Sequence, residues 1–350
     1  MLVWAVVTLT LRFRASAEGP GAYSESMRQL LMDLAIFGFA MNAIYGFGQR
    51  LLSGIVGSGT PRAGAIEATF WLHNAGFALL SLGHAREMAF IASLGVALLA
   101  AGAFSYAVGM RGFVRVRRST PRPEVGTPML RRYIQLAFFW LLAGMTMLLV
   151  ADLYWNSRGF VAPHAYLGAV RHALTVGFMT TLILGVGQRL LPILGHTLLP
   201  WPQLVLPTFV FIAVGNSLRV LTELATPYSA LAFAIMPFSA VLELFALALF
   251  SANVLRTLWP AADPLLRTGR VTPATSVAVL LAEYPWLEDQ LFAWGFAYIG
   301  RVRSVPRELT LGTLCTSEGK APEEMIASIN ELFAQHPPEG AKASRDCRIP

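Results

Sequence analysis

RHALTVGFMTTLILGVGQRLLPILGH, Arg171 to His196, is the stretch whose reading decides the fold. At about 1.5 Å of rise per residue, a helix over it crosses the ~30 Å hydrocarbon core of a bilayer. It carries His172 near one end and Gln188-Arg189 near the other. One constant offset lays Gly38-Phe39 on Gly177-Phe178, and GFGQRLL (Gly46 to Leu52) on GVGQRLL (Gly185 to Leu191). An intramembrane Gln-Arg pair repeated at one register is hard to obtain from composition alone. The chain reads as a duplicated membrane unit.

The composition agrees. Hydrophobic residues make up 55% and charged residues 13%, against roughly 25% charge in a soluble domain, so lipid solvates most of the chain. A net charge of +7 would point a soluble protein toward nucleic acid. Here the arginines cluster beside apolar spans, where they orient the chain in a bilayer, and no nucleic acid is expected. The two cysteines, Cys315 and Cys347, both fall in the polar tail. That excludes a cysteine-rich iron–sulphur site and gives no reason to expect a disulfide.

Seven long apolar spans are expected: Met27 to Leu52, Ala63 to Leu82, Met88 to Val108, Tyr133 to Tyr154, Ala165 to Leu191, Leu204 to Leu224 and Ala230 to Leu255. Met1 to Leu11 is apolar but about half the required length; it reads as the remainder of a longer helix or as a surface-lying segment. The fold class is all-α, a polytopic helical bundle with a parallel internal repeat and a small soluble helical domain. Its parts are a first membrane repeat (1–110) lacking a full first helix, a basic cytoplasmic loop (111–132), and a second repeat (133–260). A small cytoplasmic helical domain (271–335) and a flexible tail (336–350) follow. The loop carries Arg111, Arg115, Arg117, Arg118, Arg122, Arg131 and Arg132. Placing it inside puts Arg50, Arg62 and the C-terminal tail on the same side.

Polar residues within apolar spans are costly and usually have a task. His172 is the first candidate, as an axial haem ligand or a copper ligand, with hydrogen bonding to a neighbouring helix as the plainer role. Its counterpart in the first half is Asp33, so the halves differ chemically. His73, in FWLHNAGF, is a second candidate ligand or a packing histidine. His196, at the inner boundary, reads as a ligand, a proton-uptake group, or a residue that merely meets water. His164 and His84 are placed at the outer surface. Arg50 and Arg189 either snorkel to the inner surface or neutralise an anionic group such as a haem propionate. Asp33, Glu67 and Glu243 are candidate proton-path carboxylates, with structural ion pairing as the alternative.

HALTVG (His172 to Gly177), then Arg189 and LGHT (Leu194 to Thr197), resembles the signature of the NnrS family. Those are polytopic bacterial membrane proteins associated with haem, copper and the response to nitric oxide. The family's basic glycine motif after LGHT is replaced here by Leu198-Leu199-Pro200. A histidine that the pattern would set before Gly38-Phe39 is Asp33. The resemblance covers about residues 1–260. Val271 to about Gln335, with Tyr284-Pro285 and Gly295-Phe296, resembles the small helical domain DUF1858. Tyr298-Ile299-Gly300-Arg301 stand where its members often carry a Cys-x-x-Cys pair, so cluster chemistry does not carry over.

The resemblance implies a haem-associated, copper-associated protein of the bacterial inner membrane, linked to nitric oxide or respiratory stress. It would bind a diatomic gas or pass electrons, with His172 as the first metal-ligand candidate, His73 and His196 as secondary candidates, and Arg50 or Arg189 holding haem propionates. Expected partners are the lipid bilayer, an electron donor, and a cytoplasmic protein meeting residues 271–335. Two other readings stand beside it: a non-enzymatic haem or gas sensor, and a proton-coupled transporter or metal or haem assembly factor.

Overall fold

The computed structural model describes residues 25–56, 61–110, 127–160, 162–194, 199–258, 263–299, 305 and 309–335. Met1 to Leu11, most of the basic loop, His196, Cys347 and the tail from residue 336 lie outside them. The described residues are all-α. The long helix α1 runs through Glu25–Asp33, a π-helical stretch Leu34–Met41, and Asn42–Val56. It is followed by α2 (Ala63–Arg86), α3 (Ala89–Gly109) and α4 (Thr127–Tyr154). Next, α5 runs through His164–His172, a second π-helical stretch Ala173–Thr180, and Thr181–Leu194. Finally α6 (Val205–Ala225) and α7 (Ala230–Leu258) complete the long helices.

The same offset recurs in the element boundaries. The offset that lays Gly38 on Gly177 also superposes both ends of the two π stretches, and the end of α2 at Arg86 on that of α6 at Ala225. A π turn shifts the hydrogen-bond ladder by one residue and leaves carbonyls without their usual donor. Both copies answer this with a side chain just after the stretch. Asn42 Nδ2 donates to the carbonyls of Phe37 (3.3 Å) and Gly38 (3.1 Å), and its register counterpart Thr181 donates through Oγ1 to that of Val176 (3.1 Å). The glycines within the stretches have steric work to do. A Cβ on Gly38 would stand 2.9 Å from the Phe77 ring, and one on Gly177 would stand 2.7 Å from Asn216.

α2 and α3 form an antiparallel pair held at backbone distance. Gly76 and Gly83 on α2, and Gly95, Gly102 and Gly109 on α3, recur at heptad spacing along each helix, which keeps them on one face. A Cβ on Gly76 would meet the Gly95 carbonyl at 2.9 Å, and one on Gly95 would meet the Gly76 carbonyl at 2.8 Å. Small residues that let helices touch backbone to backbone are a familiar source of helix association in lipid, where no hydrophobic drive exists between them.

Six of the seven long helices are apolar and long enough to cross a membrane: Gln29–Leu52, Ala89–Gly109, Met129–Tyr154, His164–Leu194, Pro202–Ala225 and Ala230–Leu258. The expected seventh span forms as α2, which is long enough at 24 residues. Glu67, His73, Asn74, His84 and Arg86 leave it too polar to count with the others. The main core gathers residues of both halves, among them Leu34, Met41, Phe77, Leu99, Phe138, Leu141, Leu174 and Phe178. Within it, the rings of His73, Tyr45, Tyr106, Phe138 and Phe178 follow one another at centroid separations of 4.4 to 6.4 Å.

The chain divides into two compact units, one of residues 1–190 with 201–253 and one of residues 191–200 with 254–350. In the second, α8 (Pro264–Thr268), α9 (Val277–Glu283), α10 (Leu287–Ala293), α11 (Leu311–Ser317) and α12 (Pro322–Gln335) surround their own apolar core. Ser276 caps α9 by accepting from Val279 N–H, and Thr310 caps α11 by accepting from Thr313 N–H. Asn330 exchanges two hydrogen bonds with the Val271 backbone, at 2.9 and 3.0 Å. Cys315 is fully buried in this core.

Candidate functional site

Both halves hold a histidine–carboxylate pair at the same two register positions, with the groups exchanged. In the first half Asp33 ends the first turns of α1, and His84 lies in the last turn of α2. Their Oδ2 and Nδ1 atoms are 2.9 Å apart. In the second half the corresponding residues are His172 on α5 and Glu223 on α6, with Nδ1 3.2 Å from Oε2. Aligned as sequence, the halves show only a histidine missing at position 33. Folding shows that the first half has its imidazole on the facing helix. The expectation that His84 merely meets the outer surface is corrected by this contact.

The surroundings of His172 fix its tautomer. His172 Nδ1 also lies 3.1 Å from the Gly168 carbonyl. Both of its neighbours only accept, so Nδ1 carries the proton. Asp33 likewise accepts from Gln29 Nε2 at 3.2 Å and faces His84 Nδ1 with its other oxygen. In neither histidine does a described residue hydrogen-bond Nε2. A carboxylate beside Nδ1, with Nε2 left open, is the environment in which proteins orient an imidazole toward a metal.

Cations gather at the second pair. Arg219 Nε stands 3.4 Å from Glu223 Oε2, and the charge of Arg171 acts on both Glu223 and Asp33. Glu223 reaches this position because residue 168 is glycine; a Cβ there would collide with the carboxylate. One helix further, the Oε1 of Glu243 is buried with no hydrogen-bond partner among the described residues. Asn216, fully buried, and Trp140 Nε1 are likewise unmatched. Buried polar atoms left without a protein partner call for water or a bound group.

The first pair opens on a cavity of about 540 Å³, within the ~300–1,000 Å³ range of small-molecule sites. Phe37, Leu80, Val96, Leu148 and Leu167 supply apolar wall, while Asp33, Glu87 and Asp152 bring carboxyl groups and His84 an imidazole. Asp152 is held in place: Ser93 Oγ and Asn156 Nδ2 each donate to its Oδ1 at 2.9 Å. Glu87 closes the α2–α3 turn at φ 55°, a left-handed conformation more usual for glycine.

The remaining candidates lie apart from these pairs. His73 is buried, and its Nε2 donates to the Phe37 carbonyl at 2.9 Å, while Nδ1 is buried without a partner. Arg50 and Arg189 are exposed; each lies several turns beyond its pair on α1 and α5, about 26 Å of helix rise. The cations beside His172 are therefore Arg171 and Arg219. Glu67, also exposed, precedes His84 by several turns of α2 and so sits far from Asp33. His164 is exposed in the first turn of α5. Among the described residues, no group of three or more His, Cys, Asp or Glu is placed to hold a metal ion.

From the sequence, Glu223 and Arg219 register only as polar intrusions in their span, and Gln29 and Asp152 not at all. The signal for Glu223 is present in the register, since it is the direct counterpart of His84, but it looks like a mismatch. No curated protein and no solved structure matches the chain. The family model described as NnrS protein matches residues 1–261. This match covers all seven long helices and stops short of the C-terminal unit's helices, so the DUF1858 likeness gains nothing from it. With its multi-pass helical architecture and paired halves, the chain belongs to the NnrS family.

Proposed function

We propose that this chain is a haem-associated protein of the bacterial inner membrane, acting in the response to nitric oxide or respiratory stress, with its C-terminal unit in the cytoplasm. The observation that carries the proposal is the Glu223–His172 contact, which leaves Nε2 of an intramembrane imidazole free to hold a haem iron. Bound there, haem would supply an iron that takes up a diatomic gas or an electron. Glu223 orients His172 and holds the Nδ1 proton. Arg171 and Arg219 provide positive charge for anionic haem substituents. The unmatched Asn216, Trp140 and Glu243 offer hydrogen-bonding groups to whatever lies beside α5. Copper gains no comparable support, because no described cluster offers the three or four donors that a bare ion needs.

The test is the optical spectrum of the detergent-purified chain, oxidised and reduced, beside His172→Ala. Haem bound by the wild type and lost or spectrally shifted in the variant is the expected result. A wild type that stays colourless after reconstitution with haem overturns the proposal. The carboxylates Asp33 and Glu243 favour a second reading, proton-coupled transport, which such a result would bring forward.

A further inference from the structure

The cavity beside Asp33 and His84 has no part in the proposed haem site, and its lining is selective. Asp33 comes from α1, Glu87 from the α2–α3 turn and Asp152 from α4, so three separate elements each bring a carboxyl group to one space. No lysine or arginine is among the described residues that line it. Arg171 borders a separate recess of about 30 Å³, which Asp33 also lines. We infer that the larger cavity binds a protonated organic amine, an ammonium group carried on an apolar body.

Elimination leads to that class. An anion entering the cavity would meet three carboxyl groups and no lining cation. A bare metal ion needs several donors converging on one point, and no group of three or more His, Cys, Asp or Glu is so placed among the described residues. A neutral apolar molecule would leave a buried acid unmatched. Asp33 is 3% exposed, and its Oδ2 has no hydrogen-bond partner among the described residues. His84 Nδ1 is only 2.9 Å from that oxygen, yet it too makes no hydrogen bond, so the approach lacks the alignment of one. A buried carboxyl oxygen without a donor is costly. An ammonium N–H supplies the donor and the opposite charge together. The ligand therefore keeps at least one N–H, which excludes a quaternary ammonium.

The rest of the cavity suits the body of such a molecule. Its volume of about 540 Å³ is that of a small-molecule site. Phe37, Leu148 and Leu167 provide apolar wall, while exposed Glu87 and Phe160 mark the mouth. An aminophospholipid headgroup would bring its phosphate to the same acids, so the fit is to a free amine. The two halves are electrostatically distinct: His172 has arginines for neighbours, and His84 has acids.

Isothermal titration calorimetry of the purified full chain in a neutral maltoside detergent, with detergent blanks, tests the inference. The probes are phenylbutylamine, its trimethylammonium analogue, phenylbutanol and phenylbutyrate. The amine should bind at one equivalent, and the other three about tenfold or more weaker, as loss of a charge-assisted hydrogen bond implies. Asp33→Asn should weaken the amine by a similar factor, and Glu87→Gln, at the exposed turn, by less. His172→Ala should leave amine binding unchanged. The probe series needs no variant, so it decides even where Asp33→Asn fails to fold. Amine and alcohol binding alike, neither binding, or wild-type affinity in a folded Asp33→Asn overturns the inference. Equal binding of the trimethylammonium analogue removes the Asp33 contact on which it stands, and displacement of the amine by short-chain phosphatidylethanolamine overturns the assignment to a free amine. None of these readings involves haem, so failure here leaves the His172 proposal standing.

Discussion

Glu223→Gln is the most informative single perturbation of the second pair. Glu223 has a side chain 13% exposed and touches His172 Nδ1 at 3.2 Å and Arg219 at 3.4 Å. Glutamine keeps the shape and an oxygen that accepts from Nδ1–H, so the histidine keeps its tautomer. What goes is the negative charge that makes Nε2 a better donor to iron and that balances Arg219. Outer partners of metal-binding histidines typically contribute ten- to a hundredfold in affinity, equivalent to about 1.4–2.8 kcal/mol. The haem affinity of Glu223→Gln should therefore fall by about that factor, and its midpoint potential should rise, because a less basic imidazole stabilises the ferric state less. Absorbance titration and a spectroelectrochemical titration in detergent measure the two quantities. Unchanged affinity together with an unchanged potential would refute the reasoning, since the acid would then exert no influence on the ligand.

Two further predictions concern stability and reactivity. Gly95→Leu should destabilise the bundle by about 1–3 kcal/mol, because its Cβ would stand 2.8 Å from the Gly76 carbonyl; Gly46→Leu, with nothing described within 4 Å of the new Cβ, should leave the thermal midpoint in detergent unchanged or raised. Equal losses in the two would remove the close α2–α3 packing as an explanation. Burial pushes the Cys315 thiol above its ordinary range, with Lys320 opposing in part. The thiol therefore stays protonated at neutral pH, and iodoacetamide should label it only when the C-terminal unit unfolds; rapid labelling of the native chain would contradict this.

How much is legible from the sequence differs between fold and site. The helical spans can be read because apolar length is a local property of the sequence, and the repeat because GFGQRLL and GVGQRLL share a register. The starts of α9 and α12 follow from local capping and charge signals near Ser276 and Ala321. The span assigned to α2 fails the apolar test for a reason also visible in sequence, the polar residues from Glu67 to Arg86. The π stretches are not legible, since their cause is a ladder shift answered by Asn42 and Thr181, residues with no special helical signature. Nor is the site. Pairing depends on which helix faces which once the chain has turned back between Asp33 and His84, or between His172 and Glu223. A register comparison treats the exchange of acid and base as two mismatches.

That exchange yields the last prediction. If the pair is the unit that duplication preserved, its two positions should tolerate either order. Asp33→Ala should leave His84 without its acid. His84→Ala should leave the Asp33 carboxyl, 5% exposed on its side chain, without the imidazole beside it, and loss of a buried polar partner typically costs about 1–3 kcal/mol. The His84 side is 27% exposed, so solvent screening brings this toward the low end. The double exchange Asp33→His/His84→Asp restores one acid and one imidazole in the order of the second half, and should recover most of the thermal stability lost by either alanine variant. A coupling energy from the full mutant cycle measures this directly. Should the exchanged protein be as unstable as the worse single variant, the two positions are not interchangeable, and the resemblance between the pairs is a coincidence of the fold. Recovery would mean that the first half never lost its histidine but carries it on the opposite helix.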